Sequence, residues 1–234
     1  ARLAGTGWPQ GPLGRIGIAV THTAQGTRIY ATVDSKTEGG VWRSDDRGDH
    51  WIRVNSDAQT FGNAYFSRLL ADPRNPDVVY SAGQSIRRSS DAGKTWTVIK
   101  GAPGGDDYHF LWINPEHPDH WITGSDQGAA VTVNDGRTWS SWYNQPTAQF
   151  YHLGADNRFP YWIYSGQQDS GSVGTASRSD YGAITFRDWH PVGGDERDYM
   201  LPDPDDPDLV FGSGMGGRLS RYDGTTGQVA NVTP

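Results

Sequence analysis

The chain has 234 residues, rich in glycine (31), proline (14), tryptophan (10) and tyrosine (11), with no cysteine and a formal net charge of −7. The absence of cysteine excludes disulfides and thiolate metal sites, and the acidic balance argues against a general nucleic-acid binder, which would carry a basic face. No apolar run approaches the roughly eighteen residues of a membrane-spanning helix, and helix-favouring runs of Ala, Leu, Glu and Lys are missing, so short strands joined by tight turns are predicted.

The chain starts at Ala1, not Met, which points to processing, excision or a partial chain, and no signal peptide can be read. Residues 1–4 resemble the end of an outer strand whose earlier partners are missing. A turn then appears three times: Ser-Asp-Asp-Arg-Gly-Asp-His-Trp at 44–51, Ser-Ser-Asp-Ala-Gly-Lys-Thr-Trp at 89–96, and Thr-Val-Asn-Asp-Gly-Arg-Thr-Trp at 132–139. The tryptophans are 45 and 43 residues apart, a period that signals a repeat architecture. A second motif is a Pro-rich turn leading into a short apolar run. It starts at Asp72, Asn114, Asp156 and Asp203, at spacings of 42, 42 and 47. Proline fixes φ and removes a ladder donor, so it belongs in the turn and not in a central strand.

The two motifs together set the register of one repeat. Strand A precedes the Pro turn (67–71), strand B follows it (78–82), strand C enters the Asp turn (86–89), and strand D carries the tryptophan (95–99). Four antiparallel strands per roughly 45 residues predict an all-β propeller. Five blades are expected, at about 15–60, 61–105, 106–147, 148–193 and 194–234, as one propeller or part of a larger one. In the fourth, the Asp turn degenerates to 177–182 and Trp189 arrives late. In the fifth, 222–227 forms the turn and no tryptophan follows.

The Asp turn reads as scaffold. Asp91 suits an Asx-turn, Gly93 a positive φ, Thr95 and Ser89 a bond across the mouth, and Trp96 an interblade core. In an up-and-down blade the Pro and Asp turns share one end, so the B–C loops and blade crossovers share the other. That second end is rich in carboxylates, amides, His and Tyr. The candidate ligand-binding residues there are Asp106, Asp107, His109, Gln127, Gln149, His152, Gln168, Asp169, Asp195 and Glu196, lining a polar, aromatic concavity suited to bind a glycan or a peptide or to hold a cation. The same loops equally suit solvated hydrogen bonding at a channel mouth. Asp106, Asp107, Asp195 and Glu196 are the candidates for acid/base work, a working pair drawing one carboxyl from each of blades 3 and 5. No cofactor is implied: there is no phosphate loop, the seven histidines lack zinc spacing, and the acidic 203–208 run is a Pro turn by register. Arg178, Arg187 and Arg197 read as solvated charges.

The turn Ser-x-Asp-x-Gly-x-Thr-Trp resembles the Asp-box (bacterial neuraminidase) repeat of sialidases, xyloglucan-specific glucanases, sortilin-type receptors and photosystem assembly factors. The segments 101–109, 138–152 and 186–193 are similar to one family of large exported bacterial Asp-box proteins, labelled sortilin-like or glycosyl-hydrolase-like. That resemblance implies a periplasmic or extracellular protein whose remaining blades lie outside this chain. A sialidase arginine triad does not carry over, because the matching strand-A positions hold Arg68, Phe110, His152 and Tyr199. The leading expectation is a binding or protein-interaction scaffold for a peptide or glycan and not an enzyme; the alternatives are a glycoside hydrolase acting through paired carboxylates and a structural subunit docking onto another chain.

Overall fold

Glycine- and Asx-rich turns recur every few residues along this chain and interrupt every apolar run, so the strands stay short. The computed structural model describes residues 5–58, 65–145 and 147–234. Contacts divide it into two compact units, the first ending at Trp142 and the second beginning at Tyr143.

The first unit holds three sheets. Sheet I contains β1 (Ile16–Thr23), β2 (Gly26–Val33), β3 (Gly40–Ser44) and β4 (Ile52–Asn55). Sheet II contains β5 (Arg68–Ala71), β6 (Val79–Ala82), β7 (Ile86–Ser89) and β8 (Thr97–Lys100). Sheet III contains β9 (Phe110–Ile113), β10 (Trp121–Ser125) and β11 (Gly128–Thr132). The second unit holds sheet IV, with β12 (Gly154–Ala155), β13 (Trp162–Gln167), β14 (Gly171–Ala176) and β15 (Trp189–His190). Sheet V has β16 (Met200–Pro202), β17 (Leu209–Ser213), β18 (Leu219–Asp223) and β19 (Gln228–Asn231). Every sheet is an antiparallel meander with each strand beside its sequence neighbour, the connectivity of a propeller blade.

The cores lie between consecutive sheets. Tyr30 and Ala19 of sheet I pack with Leu69, Val79 and Ala92 of sheet II, and Trp96 closes that cluster. Tyr80 and Ile86 of sheet II pack with Leu111, Ile113 and Trp121 of sheet III, with Trp139 at the margin. In the second unit Tyr164 and Val192 meet Met200 and Val210. Each residue of β6 is buried, as a strand covered on both faces must be. Close backbone approach between first strands needs glycine: a Cβ on Gly17 would lie 1.9 Å from the Ser67 carbonyl oxygen, and one on Gly154 2.1 Å from that of Met200.

Three details differ from the sequence reading. The tryptophans sit in the turn just before the outer strand, so β4 starts at Ile52 and β8 at Thr97. Sheet III has three strands among the described residues. The Ser140 N–H reaches the Val131 carbonyl (2.8 Å), but the Val131 N–H goes to the Ser140 hydroxyl (2.9 Å), and this side-chain competitor stops the ladder. In sheet IV a capped 3-10 turn, Phe186–Asp188, follows the degenerate turn at 177–182 and delivers Trp189 to β15. Residues 1–4 and the expected first blade boundary at 60/61 lie outside the described residues.

Candidate functional site

The repeated turns build the scaffold by local bonds. In the second copy the Asp91 carboxylate accepts from Lys94 N (3.1 Å), Thr95 N (2.9 Å), the Thr95 hydroxyl (2.7 Å) and the Ser89 hydroxyl (2.8 Å). Ser89 and Thr95 therefore meet through Asp91 and not with each other. Burial pushes that carboxyl up, but these donors outweigh it and bring it down to about 2. Two successive residues are left-handed in each copy, not glycine alone: Arg47 and Gly48, Ala92 and Gly93, Asp135 and Gly136. This conformation aims the glycine carbonyl at the indole. Trp51, Trp96 and Trp139 donate Nε1–H to Gly48, Gly93 and Gly136 at 2.9, 2.9 and 3.1 Å. The Pro turns are pinned by their leading Asx residue: Arg74 N and Asn75 N donate to Asp72 (2.9 and 3.1 Å), and Asp205 N and Asp206 N to Asp203 (2.9 and 3.2 Å).

Arginine ties across the sheet interfaces were not legible in the sequence. Arg28 bonds Asp45, the Tyr30 hydroxyl and Asp77 of the next sheet. Arg88 reaches Asp135 of sheet III at 3.0 Å and lies over the Tyr80 ring. Arg158 binds Asp156 (2.6 Å), the Tyr164 hydroxyl and Asp208 of sheet V (3.3 Å). The common signal is a buried Tyr on strand B with an Arg near it, but the arginine comes from a different element each time.

At the opposite end of the first unit, the crossover before β9 folds onto the β10–β11 hairpin. Asp106 N–H donates to Gln127 Oε1 at 3.0 Å, and the Gln127 amide returns a bond to the Asp106 carboxylate. Asp107 is left-handed (φ 48°). Tyr108 is buried, donates its hydroxyl to Gly104 O (2.8 Å), and is pushed up to about 12 by burial and then by the Asp106 charge. His109 pairs with Asp126 (3.3 Å) and packs against Tyr65 and Phe66, with ring centroids 5.6 and 5.3 Å away. Beside it opens a pocket of about 320 Å³ lined by Arg15, Tyr65, Phe66, Ser67, Arg68, Tyr108 and His109. Arg68 also covers the Phe110 ring at 4.9 Å. The sequence reading singled out His109 here but assigned no ligand role to Arg15, Tyr65 or Arg68.

In the second unit the corresponding loops also meet. Asp169 N–H donates to Glu196 Oε2 at 2.9 Å, joining the β13–β14 hairpin to the crossover before β16. Gln168 N–H donates to the Gln149 carbonyl (3.1 Å), and its side-chain oxygen accepts from the Tyr151 hydroxyl. His152 stacks on Tyr199 with centroids 3.7 Å apart and planes 12° from parallel. Asp195 pairs with Arg218, and its N–H donates to Asp198. Arg197 is a largely exposed charge, as expected, and lies 3.4 Å from the adjacent Glu196 and over the Tyr151 ring at 6.0 Å.

Each unit thus presents carboxylates, amides and half-exposed aromatic faces on its crossover loops. Such groups hydrogen-bond hydroxyls and stack on the apolar faces of rings.

No protein-family profile matches the chain. Two curated relatives are similar to it: a xyloglucanase of a Paenibacillus species, 25% identical over 63% of this chain and 18% of its own length, and a xyloglucanase of Hypocrea jecorina strain QM6a, 26% identical over 72% of this chain and 26% of its own. The chain therefore spans about a fifth to a quarter of the curated relatives it matches. Among solved structures, the GH74 enzyme of Niastella koreensis aligns at a TM-score of 0.46 and 14% identity, over 92% of this chain and 37% of that one. YCF48 bound to D1 peptide aligns at 0.40 and 14%, over 91% and 65%.

Proposed function

We propose that this chain is part of a glycoside hydrolase-like propeller protein that engages a xyloglucan-type polysaccharide outside the cell. The observation that carries the reading is the similarity to two xyloglucanases over most of the chain. The crossover loops supply chemistry that suits it: Asp106, Asp107, His109 and Gln127 in the first unit, and Gln149, His152, Gln168, Asp169, Asp195 and Glu196 in the second. Exposed Tyr151 and Tyr199 offer ring faces for sugars beside them. The repeated turns are read as Asp-boxes, with blades at the boundaries given above. The outer faces of sheets I and V leave Ile18, Val20 and Leu201 more than half exposed, which supports further blades covering them.

Hydrolysis would need two carboxyls about 5 to 9.5 Å apart across the scissile bond. The test is release of reducing ends from xyloglucan by the parent protein and by its Asp106→Asn, Asp107→Asn, Asp195→Asn and Glu196→Asn variants. Loss of activity in one of them, with polysaccharide binding retained, supports a catalytic carboxylate. Absence of both binding and cleavage of every soluble glucan tested with the intact protein would overturn the reading. A non-catalytic glycan- or peptide-binding scaffold is favoured by the commitment of Asp106 to Gln127 and of Asp195 to Arg218. Binding without cleavage would select it.

A further inference from the structure

The interface between sheets IV and V lacks the indole that fills its counterparts. Trp96 packs against the cluster that joins Val79 of its own sheet to Tyr30 of the sheet before. Trp139 packs in the same way near Trp121 and Tyr80, with its ring centroid 6.0 Å from that of Trp121. Sheet V repeats the register of sheet II up to the turn. Asp203 N donates to Leu209 O (2.8 Å) as Asp72 N does to Val78 O (2.9 Å), and Gly224 N donates to Asp208 O (2.7 Å) as Ala92 N does to Asp77 O (2.9 Å). Val210 therefore stands where Val79 does, and Tyr164 of sheet IV where Tyr30 does. The last hairpin of sheet V then closes early, with Asp223 paired to Gln228, and every residue of β19 is exposed. Among the described residues no turn indole comes back over Val210.

A pocket of about 280 Å³ opens at that place, with Arg158, Trp162, Tyr164, His190, Val210 and Tyr222 in its wall. Three of these rings stack near-parallel to one another in the wall. Trp162 lies 25° from parallel with His190 and 23° from parallel with Tyr164, at centroid distances of 5.6 and 6.4 Å. The Arg158 guanidinium covers Trp162 at 4.9 Å and is neutralised by Asp156 and Asp208.

We propose that this pocket is a binding site for a planar aromatic group of indole type, which takes the position that the turn tryptophan occupies at the other interfaces. Ring stacking and the apolar surface of Val210 and Val192 favour such a ligand. The Asp208 carboxylate at the rim is an acceptor for its N–H. The group could arrive as a small molecule or as the tryptophan of a peptide. Both present the same indole, and the proposal is independent of any action on polysaccharide.

The test titrates indole and N-acetyltryptophanamide into the full chain, following the Val210 and Val192 methyl signals by NMR and the heat by calorimetry. Saturable binding of indole with Kd on the order of 1 mM is expected for so small a ligand, with shifts at those methyls. Indole alone binding points to a small molecule; the amide binding at least as tightly points to a peptide side chain. Filling the pocket by Val210→Phe should weaken binding at least about tenfold. Trp96→Ala should open a second site of the same kind, giving two indoles per chain and a larger rise in Tm with indole than the wild type shows. Absence of saturable indole binding by the folded protein would overturn the proposal. So would methyl shifts produced by glucan oligosaccharides and not by indole.

Discussion

Asp91→Ala removes the acceptor of four contacts that close the second repeated turn, at 2.7 to 3.1 Å. The turn is partly open to water, so each lost bond is taken at about 0.5 kcal/mol, the low end of the net range, and the total is about 2 kcal/mol. Asn stands at this position in the third copy. There Thr138 N donates to the Asn134 oxygen (2.9 Å), and the Asn134 amide donates to the Thr138 hydroxyl (2.7 Å). Asp91→Asn should therefore cost well under about 1 kcal/mol. Equilibrium urea unfolding, followed by tryptophan fluorescence and circular dichroism, measures both. The pH dependence supplies the sign. The carboxyl is held at about 2 in the fold, below its ordinary 3.8, so its contribution is present above about pH 4 and is lost as pH falls through 2. The gap between wild type and the alanine variant should shrink on acidification. An asparagine variant as unstable as the alanine one, or an alanine variant matching wild type, would refute the reasoning.

Gly154→Ala would drive a methyl to 2.1 Å from the Met200 carbonyl oxygen, and should cost several kcal/mol or prevent packing of sheets IV and V, read as lost cooperativity in thermal unfolding. Tyr30→Phe removes the 2.6 Å hydrogen bond from its hydroxyl to the Pro76 carbonyl across the first interface, and should cost about 1 kcal/mol in urea unfolding. Lys100 is buried under Trp139, Trp142 and Tyr108, with its Nζ bonded to Gly104 O at 2.9 Å, and burial lowers its pKa. The unfolded chain then holds the proton to higher pH, so stability should rise as pH climbs toward the ordinary lysine value of 10.5, and Lys100→Met should lack that rise. Parallel denaturation curves between pH 8 and 10, with an unchanged gap between the two proteins, would count against it.

The strand register and the turn chemistry were legible in the sequence because they depend on neighbours a few residues away. An Asp or Asn accepting from the next two to four backbone N–H groups, a glycine with positive φ and a proline outside the ladder are all local bargains between chain and solvent. The indole bond to the glycine carbonyl is equally local, but the sequence reading missed it because it assigned the tryptophan to the strand. The failure at β11 was also local: Ser140 carries a hydroxyl that can replace a backbone partner, and only the ladder geometry reveals that it does.

The candidate residues followed a different rule. Their loops could be placed at one end from strand alternation, yet not their partners. Asp106 with Gln127, His109 with Asp126, Glu196 with Asp169 and Asp195 with Arg218 are contacts between segments up to 27 residues apart. Which acid meets which base depends on side-chain direction after the sheets twist and pack, and that carries no sequence period. The same holds for the pocket between Tyr164 and Val210. The sequence by itself determined five meander units, their turns and the missing fifth tryptophan. Only the tertiary structure decided that this omission leaves a lined cavity, because a gap exists only once the neighbouring sheet supplies its other wall.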